Sequence, residues 1–520
     1  MEFFPVIRDK TFFSNSLLEA YYKGDKLRSL YTYTPDMKGI GEAIKGKSSF
    51  SQQKRNHLVQ DLYRQYDEAD INLSKSRVVQ ENIDKLKESN TFTITTGQQI
   101  HLGLGPVYVL YKVFDAIALS SQLKKKFQNQ NFVPIFWMAS EDHDLEEIAS
   151  ISFFGNQLKW DTNQSGAVGR MNTKGVAELF QDLIDCYHVS DIQQDFLQRA
   201  VQIYRQSENL AIAFRKLLHD YLGHTGLIIL DADSKLLKSS FSSVMIDELN
   251  YRNNQAIIES SQKLEKAGFK RQLRVRSCNL FLLQKNDRVR IDDLADFSGE
   301  SPVDFVKENY NSLSPNAALR PLYQEWILPN VCTVLGSSEL NYWLQLKGLF
   351  DNYEMPLPSM IVRTSAVLIP FKFQEKYFNN DLTEWFEDEN AIALKHDQEL
   401  AAEKESHDQK LESIKSSIRV YDQAIMETFK GVNLGNKWSK LMDKLSDIQA
   451  IMDMKWSQRI ASSADLKKVL KIKRAYFNPQ HIQERTDHIV IHTKPLLTNS
   501  ITIQQHFGIE SNQKVWIIFY

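Results

Sequence analysis

Short apolar runs followed by polar loops recur along the chain, a pattern that is typical of buried strands in a parallel sheet. Two of these runs, residues 91–95 and 132–139, are separated by an amphipathic stretch that begins near Pro106. A strand, a crossover helix and a second strand form the unit from which parallel sheets are built. Further runs occupy residues 227–231, 280–284, 331–336 and 358–362. The pattern therefore predicts an α/β fold with a Rossmann-like parallel-sheet core.

A second pattern, in the last third of the chain, predicts a helical coiled coil. Residues 397–428 contain neither glycine nor proline, and apolar side chains recur at steps of three and four. These positions are Leu411, Ile414, Ile418, Tyr421 and Ile425, and then Leu441, Leu445, Ile448 and Met452. A break at Gly431 and Gly435 between the two helices indicates an antiparallel hairpin. Two interpretations stay open, a dimerisation arm and a hairpin that packs on its own subunit.

Together these patterns divide the chain into three parts. Residues 1–385 are expected to form the core, in which scattered strands are separated by long helical segments. Residues 386–470 form the coiled-coil domain, and residues 471–520 return to the core. A chain of 520 residues is long enough for several domains of ordinary size.

Composition narrows the class of protein without naming it. With 63 basic and 65 acidic residues the net charge is −2, so the overall charge of the chain does not favour binding to nucleic acid or to an anionic membrane. No apolar run approaches the ~18 residues of a membrane span, and the N-terminus lacks the order of a signal peptide. Cys186, Cys278 and Cys332 are far apart and odd in number, which favours a reducing cytoplasm over a disulfide framework. We expect a cytoplasmic enzyme.

The polar loop after the first strand has the chemistry of an anion site. Its glycines allow close approach of a ligand to the backbone, its glutamines supply amide groups, and its proline suits the first turn of the next helix. These residues are Thr96, Gly97, Gln98, Gln99, Gly103, Gly105 and Pro106. Lys112, farther along the helix, points either at a phosphate or at solvent. His101 either binds a phosphate or caps the turn.

The polar loop after the second strand, residues 140–144, is rich in acidic side chains. It reads SEDHD and contains Glu141, Asp142, His143 and Asp144. A histidine can act as acid or base near neutral pH, and a carboxylate can bind Mg²⁺. The alternative is an exposed acidic helix start. Because ligands bind beyond the carboxyl ends of parallel strands, we expect both loops to face one cleft.

One formal motif competes with this cleft. Residues 41–48, GEAIKGKS, satisfy the phosphate-loop pattern and would place Lys47 on a nucleotide. A working phosphate loop follows directly on a buried strand, whereas Pro35 and Asp36 stand in that position here. A surface loop is therefore favoured, and a phosphate-loop ATPase remains the alternative.

At these residues the chain resembles a known family. The segment TGQQ…GLGPVY…YK followed by VPIFWMASEDHD closely resembles the cysteine-adding enzymes of bacillithiol biosynthesis. LSPNAALRPLYQEWILP at 313–329, SSELNYWLQLKGLF at 337–350 and NPQHIQER at 478–485 match in the same order. The family's Gly-Pro-Gly-Glu turn is Gly336-Ser337-Ser338-Glu339 here.

The resemblance implies a ligase that joins cysteine to glucosaminyl-malate. It also implies a core similar to class I aminoacyl-tRNA synthetases and nucleotidylyltransferases, with connecting insertions at about 150–226 and 240–325, and a coiled-coil domain associated with homodimers. Amide formation needs an activated carboxylate, so ATP is the expected cofactor and Mg²⁺ a further candidate. His143, Asp142 and Asp144 are the expected catalytic residues. The expected binding residues are Thr96, Gly97, Gln98, Gln99, Gly103, Gly105, Pro106, Lys112, Trp137, Glu141, Arg320, Glu339, Tyr342 and Arg485. A non-catalytic coiled-coil scaffold on a nucleotide-binding fold is a third interpretation.

Overall fold

A computed structural model describes residues 1–285, 287–291, 301–378, 381–429, 434–462 and 464–520. Contacts divide it into two compact units, Met1–Ile369 with His481–Tyr520, and Pro370–Gln480. The boundaries drawn from the sequence at 386 and 470 both lie inside the second unit. Among the described residues no helix has the length and apolarity of a membrane span.

The first unit contains four sheets. Its strands are β1 Glu2–Ile7, β2 Thr91–Gln98, β3 Asn131–Met138, β4 Ser150–Phe153, β5 Asn156–Lys159, β6 Ile228–Asp231, β7 Leu280–Gln284, β8 Asp287–Arg290, β9 Leu313–Pro315, β10 Asn330–Leu335, β11 Ser359–Val362, β12 Ser365–Ile369 and β13 Lys514–Phe519.

The α-helices of the described chain cover both units. They are α1 Ser16–Lys23, α2 Met37–Gly46, α3 Gln52–Glu68, α4 Arg77–Lys85, α5 Val107–Lys126, α6 Leu145–Ile148, α7 Val176–Cys186, α8 Asp191–Gln206, α9 Leu210–Leu222, α10 Lys235–Leu249, α11 Asn254–Lys266, α12 Pro302–Asn309, α13 Arg320–Ile327, α14 Ser337–Leu344, α15 Lys347–Asn352, α16 Gln374–Tyr377, α17 Glu389–Thr428, α18 Gly435–Ser462, α19 Ala464–Tyr476, α20 Gln483–Thr486 and α21 Ser500–His506.

The central sheet has five parallel strands in the order β11-β10-β2-β3-β6. Both of its faces are covered, as the continuous apolar runs require. On β3, Val133, Ile135 and Trp137 pack into one core, and Phe136 and Met138 pack into another on the opposite face. The predicted Rossmann-like parallel sheet is confirmed.

The strand order fixes where a ligand site can form. From β2 the chain adds β3 and then β6 on one side, and later β10 and β11 on the other side. The connections leaving β2 and β10 therefore diverge, and the gap between their carboxyl ends is the topological switch point. The segment between β3 and β6 carries β4, β5 and α7–α9, and the segment between β6 and β10 carries α10–α13 with the antiparallel sheet β8-β7-β9.

A three-stranded sheet, β1-β13-β12, joins the two ends of the chain. Strand β1 pairs antiparallel with β13, and Phe4 faces Ile517 in the register. Strand β13 pairs parallel with β12. The sequence patterns did not predict β1, because this six-residue strand gains its stability from a partner at the far end of the chain.

The second unit contains the helical hairpin predicted from the sequence. Lys404 of α17 pairs with Asp453 of α18 at 2.9 Å, and Lys415 donates to the Gln449 side chain at 2.7 Å. As the residue numbers of α17 rise, those of its partners fall, so the two helices are antiparallel. Gly435 begins α18, whereas the predicted break residue Gly431 lies outside the described residues.

Candidate active site

A polar cavity of about 640 Å³ opens at the switch point of the central sheet. Gly97 and Gln98 reach it from the end of β2, and Leu335 and Gly336 from the end of β10. Trp137 of β3 also lines it. Its volume lies within the ~300–1,000 Å³ range of small-molecule sites. The sheet topology therefore places this cavity where doubly wound folds bind ligands.

Lys112 joins the two strand ends that form the switch point. It is fully buried, and its ammonium group donates to the Gly97 carbonyl, to Gln98 Oε1 at 3.1 Å and to Glu339 Oε2 at 2.7 Å. Burial lowers the pKa of Lys112, and the Glu339 carboxylate opposes this effect. Lys112 thus lies in the cavity wall with its ammonium group bonded to protein partners, and it does not point at bulk solvent. It holds β2 against the start of α14.

Glu339 also organises the turn after β10. Its Oε2 accepts from the Gly336 backbone N–H at 2.6 Å, which caps the first turn of α14. Gly336 has φ −72°, an ordinary extended conformation. The serines at positions 337 and 338 are therefore compatible with this turn, and both line the cavity.

Glutamine side chains form one wall of the cavity. Gln98 Nε2 donates to Gln99 Oε1 at 2.6 Å and to the Tyr108 hydroxyl at 3.0 Å. Gln99 Nε2 donates to Glu147 Oε2 at 2.6 Å. These bonds fix the orientation of both amides, and burial raises the pKa of the Tyr108 hydroxyl, which stays protonated.

Asp142 and Arg320 face each other on the opposite wall. Arg320 Nη2 lies 3.5 Å from Asp142 Oδ2, and Arg288 Nη1 lies 3.7 Å from Oδ1. Burial acts to raise the pKa of Asp142, but the bond from His143 and the two guanidinium charges outweigh it and hold the pKa well below its usual range. Asp142 is therefore an anion at every physiological pH.

His143 lies beside this wall and is half exposed. Its Nδ1 is 3.5 Å from Asp142 Oδ1 and 3.2 Å from Arg288 Nη1. A hydrogen bond to the carboxylate requires a proton on Nδ1. A hydrogen bond from the guanidinium, which can only donate, requires a lone pair on the same atom. The two contacts thus suit opposite protonation states of one nitrogen. His143 does not line the cavity itself; it touches Asp142, which does.

The structure does not bring every predicted site residue to this cavity. Gly103 and Gly105 lie in a buried turn with φ +59° and +74°, where an added Cβ would meet Phe180 and His101. The N–H of Val107, which begins α5, donates to the Asp487 carbonyl at 3.1 Å. The predicted anion site at Gly103, Gly105 and Pro106 is therefore wrong, because this turn packs against the protein and its first helical N–H is already bonded.

Four further predicted residues have other partners. Thr96 donates to the Val334 carbonyl at 3.0 Å between two strands. Glu141 is buried against Lys238 at 2.7 Å, and Asp144 accepts from the Glu147 N–H as the cap of α6. His101 is buried, with its pKa lowered to about 4 mainly by burial. None of the four lines the cavity. A position next to a strand end does not by itself direct a side chain into the cavity.

Other predicted residues do line the cavity, and several that were missed join them. The predicted ones are Gly97, Gln98, Gln99, Lys112, Trp137, Asp142, Arg320, Glu339, Tyr342 and Arg485. The missed ones include Tyr108, Gln272, Gln324, Ser337, Ser338, Trp343 and Arg363. Arg363 directly follows β11, so the rule of strand carboxyl ends would have found it. Gln272 lies in a loop with no comparable signal.

The phosphate-loop interpretation of residues 41–48 is wrong. Residues 37–46 form helix α2, with no strand directly before it in the described chain. Lys47 is buried and pairs with Glu325 at 3.0 Å, and it also donates to the Glu325 carbonyl at 3.1 Å. A lysine committed to a buried carboxylate is not available to a nucleotide phosphate.

The fold and cavity define a doubly wound nucleotide-fold protein with a charged small-molecule site at its switch point. Residues 5–364 match the family model described as "Bacillithiol biosynthesis BshC, N-terminal Rossmann-like domain". The chain belongs to this family.

Three relatives carry the name "Putative cysteine ligase BshC". The protein of Flavobacterium psychrophilum is 33% identical over 518 residues, covering 95% of this chain and 96% of the relative. That of Flavobacterium johnsoniae is 36% identical over 378 residues, covering 70% of each. That of Cytophaga hutchinsonii is 36% identical over 375 residues, covering 70% of this chain and 69% of the relative.

Proposed function

We propose that this protein is a cysteine ligase of bacillithiol biosynthesis, which joins the carboxyl group of cysteine to the amine of glucosaminyl-malate. The observation that carries the proposal is the coincidence of two findings. Relatives that bear the ligase name match along almost the whole chain, and the matched motifs 97–99, 142 and 339 meet in one cavity. The substrates are small molecules, and the cavity has the size for them.

The reaction needs an activated carboxylate, because a carboxylate oxygen is a poor leaving group. ATP would supply that activation by converting this oxygen into part of a mixed carboxylic-phosphoric anhydride, either an acyl adenylate with release of pyrophosphate or an acyl phosphate with release of ADP. Gly97, Gln98 and Gln99 present backbone and amide groups to the cavity. These residues would contact the phosphates, in place of the buried turn at Gly103 and Gly105.

A resident metal is not part of the proposal. Among the described residues no group of three or more His, Cys, Asp or Glu side chains is placed to hold an ion. Asp142 and Glu339 line the cavity, but both are already paired with cations. Mg²⁺ would enter with the nucleotide, since it commonly binds through phosphates and few protein ligands.

The remaining charged groups suit the two organic substrates. Asp142 is a permanent anion and would pair with the ammonium group of cysteine. Arg320 and Arg485 would pair with the malate carboxylates, because a guanidinium binds a carboxylate in a bidentate way. His143, which contacts Asp142 beside the cavity, would take the proton that the attacking sugar ammonium must lose before its nitrogen can form the amide.

Two experiments test the function. Thiol profiling by mass spectrometry of cells without this protein should show glucosaminyl-malate accumulating and bacillithiol absent. Purified protein given cysteine, glucosaminyl-malate and ATP should form bacillithiol. With ¹⁸O in the cysteine carboxylate, label in AMP identifies an adenylate route and label in inorganic phosphate an acyl phosphate. An unchanged thiol pool would remove the proposal.

We further propose that the enzyme is a cytoplasmic homodimer joined through the hairpin of the second unit. All three cysteines are free thiols, which persist in a reducing compartment. On the hairpin, large apolar side chains stay exposed, including Ile414 at 50% and Tyr421 at 62%. A soluble chain seldom leaves such a stripe uncovered, and a second copy of the hairpin would cover it.

A further inference from the structure

A second, smaller cavity lies beside the main one and is walled by arginines. Its volume is about 240 Å³, and it shares Ser337, Arg363 and Arg485 with the main cavity. Arg8, which follows β1, forms another part of its wall. We call it the Arg8 pocket. It requires both ends of the chain, since residues 8 and 485 meet in it.

Arg8 is a buried cation without an ion-pair partner. It is 4% exposed, and its Nη2 donates to the Arg363 carbonyl at 2.9 Å and the Lys514 carbonyl at 3.5 Å. Within the described residues no carboxylate lies within 4.0 Å of it, and Nε has no hydrogen-bond partner. A buried charge without a counter-charge is costly, so native structures rarely leave one unpaired.

The surroundings of Arg8 make the pocket more positive still. Arg363 pairs with Glu484, which also accepts from the Ser365 hydroxyl at 3.3 Å. Arg485 has no acidic partner in the described chain. Among the described residues that line the pocket, three arginines therefore face one carboxylate, Glu484, and the Asp115 carboxylate lies near enough to act on the pKa of Arg8. Burial lowers the pKa of Arg8, and the nearby Arg363 charge acts in the same direction.

Two other buried arginines show what a purely structural role looks like. Arg55 uses Nη1 and Nη2 on the carbonyls of Leu86, Thr91 and Ser89. Arg215 uses both terminal nitrogens on Gln65. Only Nη2 of Arg8 makes hydrogen bonds, so Nη1 remains for a ligand; Nε is buried without a partner in the described chain, as it also is in Arg55 and Arg215. Arg8 thus resembles an anion-binding arginine more than a carbonyl-capping one.

We propose that the Arg8 pocket binds a small divalent oxyanion of the phosphate class. The volume corresponds to about eight waters at ~30 Å³ each, which is ample for a tetrahedral phosphate. Guanidinium groups are the preferred partners of phosphate oxygens, because their forked N–H groups match them. This pocket lies beside the cavity of the proposed ligase chemistry and shares Arg485 with it, but binding of free phosphate can be measured without that reaction.

The phosphate could come from two sources, free inorganic phosphate or the phosphate chain of a nucleotide in the main cavity. The shared wall of Ser337, Arg363 and Arg485 makes the second source geometrically accessible. Competition between the two ligands separates these sources without altering the site.

Asn15 offers a substitution that changes the pocket charge while preserving the fold. It lines the pocket and caps α1, accepting from the Leu18 N–H at 3.0 Å. Asp and Ser cap helices about as well as Asn. Asn15→Asp would therefore place a carboxylate beside the arginines, and Asn15→Ser is the matched neutral control.

The test is isothermal titration with sodium phosphate at constant ionic strength in chloride buffer. We expect saturable binding by wild type and Asn15→Ser, and affinity at least tenfold weaker in Asn15→Asp. Arg8→Gln should show the same loss, with circular dichroism to check folding. Displacement of phosphate by ATP would assign the site to nucleotide phosphates, and simultaneous binding would assign it to free phosphate. Absence of saturable binding in wild type, or equal binding by the two Asn15 variants, would overturn the proposal.

Discussion

At the scale of single residues, the environment of a side chain decides its role more than its place in a motif does. His143 and Asp144 are neighbours in the SEDHD loop, yet Asp144 caps a short helix whereas His143 contacts the anion Asp142. Lys47 fits a phosphate-loop pattern but is paired with Glu325. Two predictions separate chemistry from packing at this scale.

The first prediction concerns His143. His143→Asn should keep the free energy of unfolding, because the side chain is half exposed, and should lower the rate of bacillithiol formation by ~10²- to 10⁴-fold, as expected for loss of a general base. The measurement is kcat at saturating substrates together with thermal unfolding. His188→Asn, at an exposed position away from the cavity, is the control. A variant that melts lower but keeps its activity per folded molecule would make His143 a structural residue.

The second prediction concerns Lys47. Lys47→Ala leaves the Glu325 carboxylate buried without its cation, so the free energy of unfolding should fall by ~3–5 kcal/mol. Activity per folded molecule should be unchanged, since the pair is not in the cavity. Denaturant unfolding and kinetics measure the two quantities. Lys45→Ala, at an exposed position of the same helix, should change stability by less than ~0.5 kcal/mol. Lost activity in a stable Lys47→Ala protein would restore the phosphate-loop interpretation.

At the scale of elements, buried polar groups connect helices and strands that are distant in the sequence. Asp115 of α5 accepts from the Thr364 N–H at 2.6 Å, from the Thr364 hydroxyl at 2.8 Å and from the Gly508 N–H at 2.8 Å. It thereby joins the helix after β2, the turn between β11 and β12, and the C-terminal segment. Burial raises the pKa of Asp115 to about 6 despite these bonds.

This raised pKa gives a prediction about pH. Between the unfolded value of ~3.9 and the folded value, the folded chain holds a proton that the unfolded chain has lost. The contribution of Asp115 to stability therefore falls by about 3 kcal/mol as pH rises through this window, and is constant above it. The free energy of unfolding of wild type relative to Asp115→Asn should fall by that amount between pH 4 and 7.

The comparison with Asp115→Asn isolates this carboxyl group. Asp231, whose pKa burial also raises to about 6, is present in both proteins, so its contribution cancels. Urea unfolding at closely spaced pH values is the measurement. A stability difference that does not vary with pH would show that Asp115 titrates in the folded protein as it does in the unfolded chain.

At the scale of the whole molecule, the hairpin is an element whose exposed apolar side chains are not covered by other described residues of the chain. Ile414, Val420, Tyr421 and Ile448 are at least half exposed on α17 and α18. We predict a homodimer, measured by light scattering as twice the chain mass of 60.3 kDa. Ile414→Lys with Tyr421→Lys should give the monomer mass, whereas Ser416→Lys, an exposed polar position on the same helix, should not. A monomeric wild type at micromolar concentration would contradict the prediction.

The sequence by itself determined the features that depend on local periodicity. Alternation of apolar and polar runs located β2, β3, β6, β10 and β11, because a strand buried on both faces must be apolar throughout. The three- and four-residue spacing of apolar positions located the hairpin, because this spacing places them on one face of each helix. The rule that ligands bind beyond parallel strand ends predicted that both loops face one cleft. Gly97, Gln98, Gln99 and Asp142 line one cavity, whereas the other residues of the two loops do not.

Tertiary structure alone decided which side chains of those loops face the cavity and which charged groups pair. Gly103 and Gly105 lie in a buried turn with positive φ, whereas Gly97 lies in strand β2 at the cavity. Glu325 lies 278 residues from Lys47 in the chain, and Arg8 meets Arg485 only after β1 has paired with β13. No periodic pattern in the sequence marks such contacts. Their free energy comes from burial and charge between residues far apart in the sequence rather than from neighbouring residues.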